Sequence, residues 1–390
     1  MLSAPHRAIV SATVPLLEAG GEALTRHFYL TLFRDFPQVL PYFNQANQEG
    51  GQQRALAAAV LAYARNIDRL EALGPLVATI VNKHVSLQIL PEHYPMVGAS
   101  LLKAIREVLG EAVATDAVIE AWGAAYGQLA DILSGAEGQL YAAQKAAAGG
   151  WNGARSFVVQ SKTVESDEIT SFVFAPIDGA PVMAHAPGQY IGLAVSVDGS
   201  AQRRQYSLSA AANGATYRIS VKREAHGKVS GFLHGQVAAG DLVALFAPAG
   251  AFVLADSDKP LVLISGGVGI TPTLAMLEAA LAAGREVVFI HAARNGQVHA
   301  FGQHVDALAR SHPRLQRHYC YEQGGPADAD HASGYIDAAL LARWLPATRD
   351  VDAYFLGPLP FMQAIKRSLA ALGVPAAQTH YEFFGPAGVL

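Results

Sequence analysis

The chain has 390 residues, of which 51% are apolar and 15% are charged, and its net charge is −4. This length is enough for two or three domains, and the apolar content argues against disorder. The slight negative charge gives no electrostatic basis for binding nucleic acid or an anionic membrane. The single cysteine, Cys320, excludes an internal disulfide and a thiolate metal cluster, so we expect a cytoplasmic protein.

The N-terminal residues lack the charged-then-apolar order of a signal peptide. No apolar run approaches the ~20 residues that are needed to cross a bilayer, so no transmembrane segment is expected. Charge and composition favour no obligate protein partner. We therefore expect a monomer whose partners are small molecules.

Residues 1–145 are expected to form an all-α domain. Apolar residues recur there three and four positions apart, which is typical of amphipathic helices. One set consists of Leu24, Phe28 and Leu32, and a later set consists of Ile119, Trp122, Tyr126, Leu129 and Leu133. No alternation of period two competes with these patterns.

His84 lies on an apolar helix face, since Leu76, Ile80, His84 and Leu87 share helical spacing. An imidazole in this position can hold a haem iron from one side. A core histidine that hydrogen-bonds a backbone carbonyl shows the same pattern and is the commoner case for a lone histidine. The choice between the two depends on the rest of the chain.

Two groups are candidates for a partner of His84. Tyr94 lies at the start of the next predicted helix, and Glu137 lies near the end of the last one. A carboxylate that accepts from the imidazole raises electron density on iron and favours activation of the O–O bond. The alternatives are a solvated carboxylate at a helix end for Glu137 and a core or capping aromatic for Tyr94.

Candidates for the opposite side of a haem are Tyr29, Phe43, Gln52 and Leu56. Gln52 and Leu56 are four residues apart and share a helix face. A phenol and an amide can both donate a hydrogen bond to oxygen on the iron. Ordinary core packing of the two aromatic residues and a surface amide at Gln52 are the alternatives.

Residues 151–256 are expected to form an antiparallel β-barrel, after a joint at the small residues 146–150. Short apolar runs are separated by Gly, Pro, Asp and Asn turns, which favours a closed barrel. The predicted strands lie around Phe157 and Val159 and at Ile169–Phe174, Tyr190–Val197, Arg204–Ser209, Tyr217–Val221 and Leu242–Phe246.

Residues 257–390 are expected to form an α/β domain with a parallel sheet, since predicted strands and helices alternate across short loops. The predicted strands are Leu261–Ser265, Glu286–His291, Leu315–Tyr321 and Ala353–Leu356. The predicted helices are Pro272–Ala283, Phe301–Ser311 and Phe361–Leu372.

A flavin site is indicated by the strand segment Arg204-Gln205-Tyr206-Ser207, on which Arg204 and Tyr206 face one way and the other two face the opposite way. The arginine can hold a phosphate, the phenol can stack on a flavin, and the hydroxyl can reach a flavin nitrogen. Each residue alone is also compatible with a barrel turn.

Two further positions support this flavin site. Tyr190 supplies a second aromatic ring. Ser230 precedes an apolar run and marks a helix N-terminus, where backbone N–H groups can bind a pyrophosphate.

A dinucleotide site is indicated by a glycine loop that follows a buried strand directly and opens a helix. The loop residues after Gly266 are Gly267, Val268, Gly269, Ile270, Thr271 and Pro272. The choice between NADH and NADPH stays open. Arg294 follows a strand and can meet a 2′-phosphate, but a surface arginine gives the same pattern.

The N-terminal region resembles the globin domain of the flavohaemoglobins, the bacterial and fungal nitric oxide dioxygenases. The resemblance is carried by Leu24-Thr25-Arg26-His27-Phe28-Tyr29, Tyr42-Phe43-Asn44, Lys83-His84, Pro91-Glu92-His93-Tyr94 and Ala121-Trp122-Gly123-Ala124-Ala125-Tyr126-Gly127.

This resemblance implies roles for the individual haem-site residues. It implies that His84 is the proximal ligand of haem b, with Tyr94 and Glu137 as its relay. Tyr29 is implied as the donor to bound oxygen. The remaining implied roles are Phe43 against the haem, Lys83 tuning the haem and flavin potentials, and Gln52 and Leu56 on the distal helix, where the register leaves Gln52 and Gln53 as alternatives.

The rest of the chain resembles the ferredoxin-reductase-like module of the same family, in the same domain order. The segment Tyr354–Met362 matches its second nicotinamide-side loop, with Leu356 where the family often has cysteine. The C-terminal residues resemble the segment that lies against the flavin, and Phe383 stands where some members have cysteine. The matching C-terminal positions are Glu382, Phe383, Phe384, Gly385 and Pro386.

The resemblance implies an oxidoreductase that passes electrons from NADH or NADPH through FAD to haem and oxidises nitric oxide with O2 to nitrate. Two alternatives use the same modules. One is a haem-linked NAD(P)H oxidase or reductase that acts on another acceptor. The other is an oxygen-binding or sensing globin that its reductase keeps ferrous.

Overall fold

The computed structural model describes residues 2–43, 51–324 and 331–385, apart from the side chains at positions 17 and 51–57. Within these ranges, no helix combines the length and the apolar character needed to cross a membrane. The chain divides into two compact units. Unit 1 holds the region through Ala146 together with Asp198–Arg204 and Gly385, and unit 2 holds Ala147–Val197 and Gln205–Phe384.

Unit 1 is built from α-helices, which confirms the all-α prediction. They are α1 (Ala4–Asp35), α2 (Gly51–Arg65), α3 (Gly74–Leu87), α4 (Tyr94–Leu109) and α5 (Asp116–Ala146). Short 3₁₀ turns at Pro37–Tyr42, Leu70–Leu73 and Pro91–His93 connect them. The helix predicted to carry Tyr94 is therefore preceded by one 3₁₀ turn and begins at Tyr94 as α4.

The core of unit 1 contains the predicted apolar faces. Leu24, Phe28 and Leu32 on α1 are at most 4% exposed, and Trp122 on α5 is 3% exposed. The Trp122 indole N–H donates to the Thr13 hydroxyl at 3.1 Å, so the polar edge of the ring is satisfied inside the core.

The next part of the chain forms a sheet of antiparallel strands with the order β4-β3-β6-β1-β2-β5, which belongs to unit 2 apart from residues 200–204 of β4. The strands are β1 (Arg155–Val164), β2 (Ile169–Pro176), β3 (Tyr190–Val197), β4 (Ser200–Ser207), β5 (Tyr217–Lys222) and β6 (Leu242–Ala249), with α6 (Lys228–Gly235) between the last two. An antiparallel bridge between Leu208 and Ile219 joins the two edges of the sheet. This bridge closes the barrel, as predicted.

The second part of unit 2 contains a parallel sheet with the order β10-β9-β8-β7-β11-β12. Its strands are β7 (Leu261–Gly266), β8 (Val287–Ala293), β9 (Leu315–Tyr321), β10 (His331–Ser333), β11 (Asp352–Leu356) and β12 (Thr379–Tyr381). Its helices are α7 (Ile270–Ala282), α8 (Gly302–Ser311), α9 (Ala338–Trp344) and α10 (Leu359–Ala371).

This parallel sheet has an apolar core on each of its faces, as expected. Leu263 and Leu277 belong to one core, and Ile264 and Ile365 belong to the other. The central strand β7 is fully buried along its length because both of its faces are covered. The edge strands β10 and β12 were not predicted.

Candidate functional site

Unit 1 contains an apolar cavity of about 350 Å³. Its wall comes from each of the described helices α1 to α5 and includes Tyr29, Phe43, His84 and Tyr94. Leu76, Ile80 and His84 line it from α3, so the predicted apolar stripe faces this space.

His84 is held by a buried carboxylate. Its Nδ1 lies 2.7 Å from Oε1 of Glu137, and Glu137 is only 1% exposed. An ionised carboxylate only accepts hydrogen bonds, so Nδ1 carries the hydrogen and donates it. Nε2 is then the ring nitrogen that is available to a ligand in the cavity.

Tyr94 completes this group of side chains. Its hydroxyl donates to the same Oε1 of Glu137 at 2.6 Å and lies 3.3 Å from Nδ1 of His84. Burial, followed by the hydrogen bond to Glu137, raises the pKa of Tyr94 well above its ordinary value. The phenol therefore stays protonated and acts as the donor.

Tyr126, whose part here we did not predict, holds Tyr94 in place. Its hydroxyl donates to the Tyr94 carbonyl at 2.7 Å. The ring passes over Gly98, where an added Cβ would lie 2.6 Å from Cε1 of Tyr126. The signal in the sequence was a glycine inside a helix, which often marks a close approach.

These residues fit a haem. The cavity is apolar, and the imidazoles of His84 and His93 both line it. His93 Nδ1 accepts from the Leu90 N–H at 2.8 Å, whereas Nε2 of His84 is available to a ligand. The second oxygen of Glu137, Oε2, is buried without a hydrogen-bond partner among the described residues. Such a buried charge is costly unless a positive group lies nearby, and an imidazole bound to a metal is such a group.

Tyr29 and Phe43 also line the cavity. Their ring centroids are 5.8 Å apart with an edge-to-face angle of 80°. Tyr29 is 9% exposed, and burial raises its pKa well above the ordinary value. The side chains of Gln52, Gln53 and Leu56 lie outside the described residues, so their distal roles stay predictions.

Lys83 directly precedes His84 in the sequence. Its Nζ donates to the carbonyl of Gly385 at 3.3 Å, within unit 1. The predicted influence of Lys83 on cofactor potentials stays a prediction.

The predicted flavin residues of the barrel follow one another on β4. The Arg204 guanidinium donates to the Arg203 carbonyl at 2.7 Å and to the Gln202 side chain at 3.1 Å, which orients it. Gln205 and Tyr206 are half-buried, and Ser207 is buried.

Tyr190 and the start of α6 also have features of a flavin nucleotide site, namely a buried aromatic ring and a helix N-terminus. Tyr190 is 7% exposed, and Gly250 packs so closely that an added Cβ would lie 3.0 Å from its ring. An added Cβ on Gly227, the residue before α6, would lie 2.2 Å from Oγ of Ser230. Because Gly227 has no side chain, the backbone N–H groups of the first turn of α6 stay accessible to a phosphate.

The hydroxyl of Ser230 forms hydrogen bonds with the backbone of nearby residues. It accepts from the Glu224 N–H at 3.2 Å and donates to the Gly227 carbonyl at 3.2 Å. We expect Ser230 to contribute to phosphate binding through its backbone.

The glycine loop lies at the carboxyl end of the central strand β7. Gly267 has φ +54, and an added Cβ on Gly269 would lie 2.5 Å from the carbonyl oxygen of Leu356. In the strand order, β8 lies on one side of β7 and β11 on the other, so this loop marks the topological switch point. Dinucleotides bind at such points, with their phosphates at the following helix.

The rest of the loop is packed into the protein. Gly269, Ile270, Thr271 and Pro272 are buried, and Val268 is partly buried. The Thr271 hydroxyl donates to the Val268 carbonyl at 3.0 Å, which fixes the turn into α7. This packing presents the loop backbone in one conformation to a nucleotide.

The C-terminal residues follow the edge strand β12. Glu382 is half-buried, and Phe383 packs against the apolar core of the parallel sheet. Phe384 is 49% exposed, which suits a ring that stacks on a cofactor. Pro386 lies outside the described residues, and the predicted contact of this segment with the flavin stays a prediction.

Models of known protein families match successive parts of the chain. They are Globin at residues 26–133, Oxidoreductase FAD-binding domain at 156–254 and Oxidoreductase NAD-binding domain at 263–367. These matches agree with the predicted haem, FAD and nicotinamide cofactors.

A solved structure shares the whole fold. The flavohemoglobin from Malassezia yamatoensis with bound FAD and heme matches with a TM-score of 0.86 and 29% identity, covering 98% of this chain and 100% of that one. The FAD/NAD-binding domain of nitric oxide dioxygenase from Vibrio cholerae O1 biovar El Tor is 42% identical, with a TM-score of 0.56, over 60% of this chain and 99% of that one.

Two full-length relatives are closer in sequence. The flavohemoprotein of Burkholderia sp. (strain TH2) and that of Pseudomonas putida (strain KT2440) are each 64% identical to this chain and covered over their entire length. With its helical cavity, closed barrel and dinucleotide sheet in this order, the chain belongs to the flavohemoprotein family.

Proposed function

We propose that this protein is an NAD(P)H-dependent nitric oxide dioxygenase, which oxidises nitric oxide with O2 to nitrate. The observation that carries the proposal is the His84–Glu137–Tyr94 group at the apolar cavity of a chain that also contains a reductase. The haem, the FAD and the nicotinamide supply oxygen binding, electron transfer and hydride donation. The residues described below determine where these cofactors bind and how they are tuned.

The buried carboxylate favours oxygen activation over reversible storage. Glu137 accepts a hydrogen bond from Nδ1 of His84. This bond makes Nε2 a stronger electron donor to a metal. With haem bound, an imidazole enriched in this way would raise electron density on the iron and would favour oxygen activation. The proton of Tyr94 keeps the carboxylate in place.

Tyr29 lines the same cavity and can donate a hydrogen bond into it. Its raised pKa keeps the phenolic proton at physiological pH. Phe28, Phe33 and Phe43 pack around its ring and keep the surroundings dry. In such a medium, a hydrogen bond to a negatively charged oxygen species is stronger than in water.

Nitric oxide consumption by haem-reconstituted protein tests this function. The protein would be supplied with FAD, NADH and O2, nitric oxide would be followed at an electrode, and nitrate would be assayed at the end. Rapid NADH-dependent loss of nitric oxide with stoichiometric nitrate is expected. NADH oxidation that is unchanged by nitric oxide would contradict the proposal.

The domain limits 1–145, 151–256 and 257–390 are also part of this proposal. The closed barrel and the parallel sheet, which begin at Arg155 and Leu261, support them. Limited proteolysis with mass spectrometry tests the limits, because cleavage is expected near 146–150 and near 257.

We place the protein in the cytoplasm as a monomer. Its single cysteine, Cys320, is buried, and burial raises its pKa to about 11, which suits a chain that needs no disulfide. Light scattering of the holoprotein would test the oligomeric state, and a dimer at low concentration would contradict it.

A further inference from the structure

Arg294 follows β8 directly, and its guanidinium forms an ion pair with the carboxylate of Glu168. Glu168 comes from the turn between β1 and β2, 126 residues away in sequence. The Arg294 side chain is 57% exposed and that of Glu168 is 31% exposed, so both can contact a ligand from solvent.

The turn that carries Glu168 is fixed by several hydrogen bonds. The Ser166 hydroxyl accepts from the Ile169 N–H at 3.2 Å, and the Glu168 carbonyl accepts from the Arg223 N–H at 2.7 Å. The N–H of the neighbouring Asp167 donates to the Gln297 carbonyl at 3.1 Å. The turn is thereby attached to the loop after β8, and the carboxylate stays beside Arg294.

The arginine is fixed through its backbone as well. The Arg294 carbonyl accepts from the Gln323 N–H at 2.8 Å. The side chain of the next residue, Asn295, accepts from the N–H groups of Gln297 and Val298 at 3.0 and 3.2 Å. These bonds hold the end of β8 in one conformation.

The location of the pair relates it to the nucleotide. In the parallel register, Gly266 at the end of β7 is opposite Ala292 on β8, and Arg294 follows two residues later. In dinucleotide-binding folds, an acidic group near the end of the second strand accepts from the ribose 2′-hydroxyl, whereas an arginine nearby accommodates a 2′-phosphate. This chain has both kinds of group in contact with each other.

We infer that the Glu168–Arg294 pair makes the site select NADH over NADPH. Glu168 offsets the charge of the arginine and binds one of its guanidinium nitrogens, so less positive charge is left for a 2′-phosphate. A fixed carboxylate also repels a dianionic phosphate, while it can accept from a neutral 2′-hydroxyl. The inference rests on the proposed use of a nicotinamide nucleotide. It adds which of the two nucleotides is preferred and which residues determine that preference.

Anaerobic stopped-flow reduction of the flavin in the holoenzyme, with NADH and with NADPH, tests this selection. The wild type is expected to prefer NADH. Glu168→Gln releases the arginine and should improve the use of NADPH relative to NADH by roughly tenfold, the size expected for one charge near the surface at moderate salt. Arg294→Gln should slow flavin reduction by NADPH further and should leave flavin reduction by NADH almost unchanged.

Matched controls separate this pair from a general charge effect. Asp167→Asn removes an exposed carboxylate one residue away and should leave the nucleotide preference unchanged. In the double variant Glu168→Gln with Arg294→Gln, the gain in NADPH use should disappear. An NADPH preference of the wild type, or an equal shift in Asp167→Asn and Glu168→Gln, would overturn the inference.

A binding measurement distinguishes this inference from the proposed function. Calorimetric titration of the oxidised holoenzyme with 5′-AMP and with 2′,5′-ADP compares the two sugar substituents without any turnover. Glu168→Gln should increase the affinity for 2′,5′-ADP by roughly tenfold relative to the affinity for 5′-AMP. An unchanged ratio would refute the role of the pair even if the enzyme consumes nitric oxide rapidly.

Discussion

Nδ1 of His84 lies 2.7 Å from Oε1 of Glu137, a carboxylate that is 1% exposed. The same oxygen accepts the Tyr94 hydroxyl at 2.6 Å. The imidazole is therefore oriented by one buried negative charge, and the phenol holds that charge in place through the same oxygen. Removing the charge and removing the phenol should have different consequences.

Glu137→Gln is expected to raise the midpoint potential of the haem, because a neutral amide donates less electron density through His84 than a carboxylate does. Haem affinity should also fall by roughly 10- to 100-fold, which is the usual cost of losing the hydrogen-bond partner of a metal ligand. Spectroelectrochemistry and haem titration would measure both effects.

Tyr94→Phe keeps the carboxylate and should change the potential much less than Glu137→Gln does. A potential that is the same in Glu137→Gln and in the wild type would show that the carboxylate does not act on the haem.

Tyr29→Phe should lower the rate of nitric oxide dioxygenation on the order of 100-fold, because it removes one preorganised donor from a dry site. Flavin reduction by NADH, measured in the same sample, should stay near the wild-type rate. This second measurement is the control, since the phenol lies in the cavity of unit 1. Equal loss of both activities would argue against the donor role.

Gly269→Ala should slow flavin reduction by NADH by roughly 100-fold, because even a small displacement misplaces the reactants. The added Cβ would lie 2.5 Å from the Leu356 carbonyl oxygen and 3.1 Å from the Gly357 nitrogen, so the loop must move. The haem spectrum should not change. In Gly235→Ala, where a Cβ meets nothing within 4 Å, the rate should be preserved, and an equal loss there would refute the steric argument.

The stability of unit 2 should fall as the pH is lowered below neutrality. Burial lowers the pKa of His299 from its ordinary 6.5 to about 4, and burial also lowers the pKa of the neighbouring His291. Between about pH 4 and 6.5 the unfolded chain binds these protons and the folded chain does not, so acid favours unfolding. His299 alone should contribute a loss of about 2 kcal/mol at about pH 5.

Urea denaturation, followed by tryptophan fluorescence near neutral pH and near about pH 5, would measure this dependence. His299→Asn should make the midpoint less sensitive to pH. The exposed His226→Asn is the matched control and should keep the wild-type dependence. The same pH dependence in His299→Asn and in the wild type would contradict the assignment.

The periodicity of apolar residues was sufficient to predict the three kinds of architecture and most of the elements. Leu315–Tyr321 was predicted at its observed limits, and Pro272–Ala283 begins two residues earlier as α7. Periodicity is a local property, so it reports which face of an element is buried. It does not report short edge strands such as β10 and β12, whose pairing depends on neighbouring strands.

The candidate haem site was predicted from motifs, but its geometry depends on folding. His84 and Glu137 are 53 residues apart and lie on α3 and α5, so only the packing of these helices brings them into hydrogen-bond distance. The support of Tyr94 by Tyr126 has the same origin, because the contact needs a glycine on the facing helix.

The contrast is clearest for Arg294. Its residue type and its place after a strand suggested either a phosphate ligand or a surface cation. Its ion pair with Glu168 forms only because the barrel turn is attached to the loop after β8. Helix and strand patterns depend on neighbours along the chain, whereas the charge at a binding site depends on groups that meet only after the chain has folded.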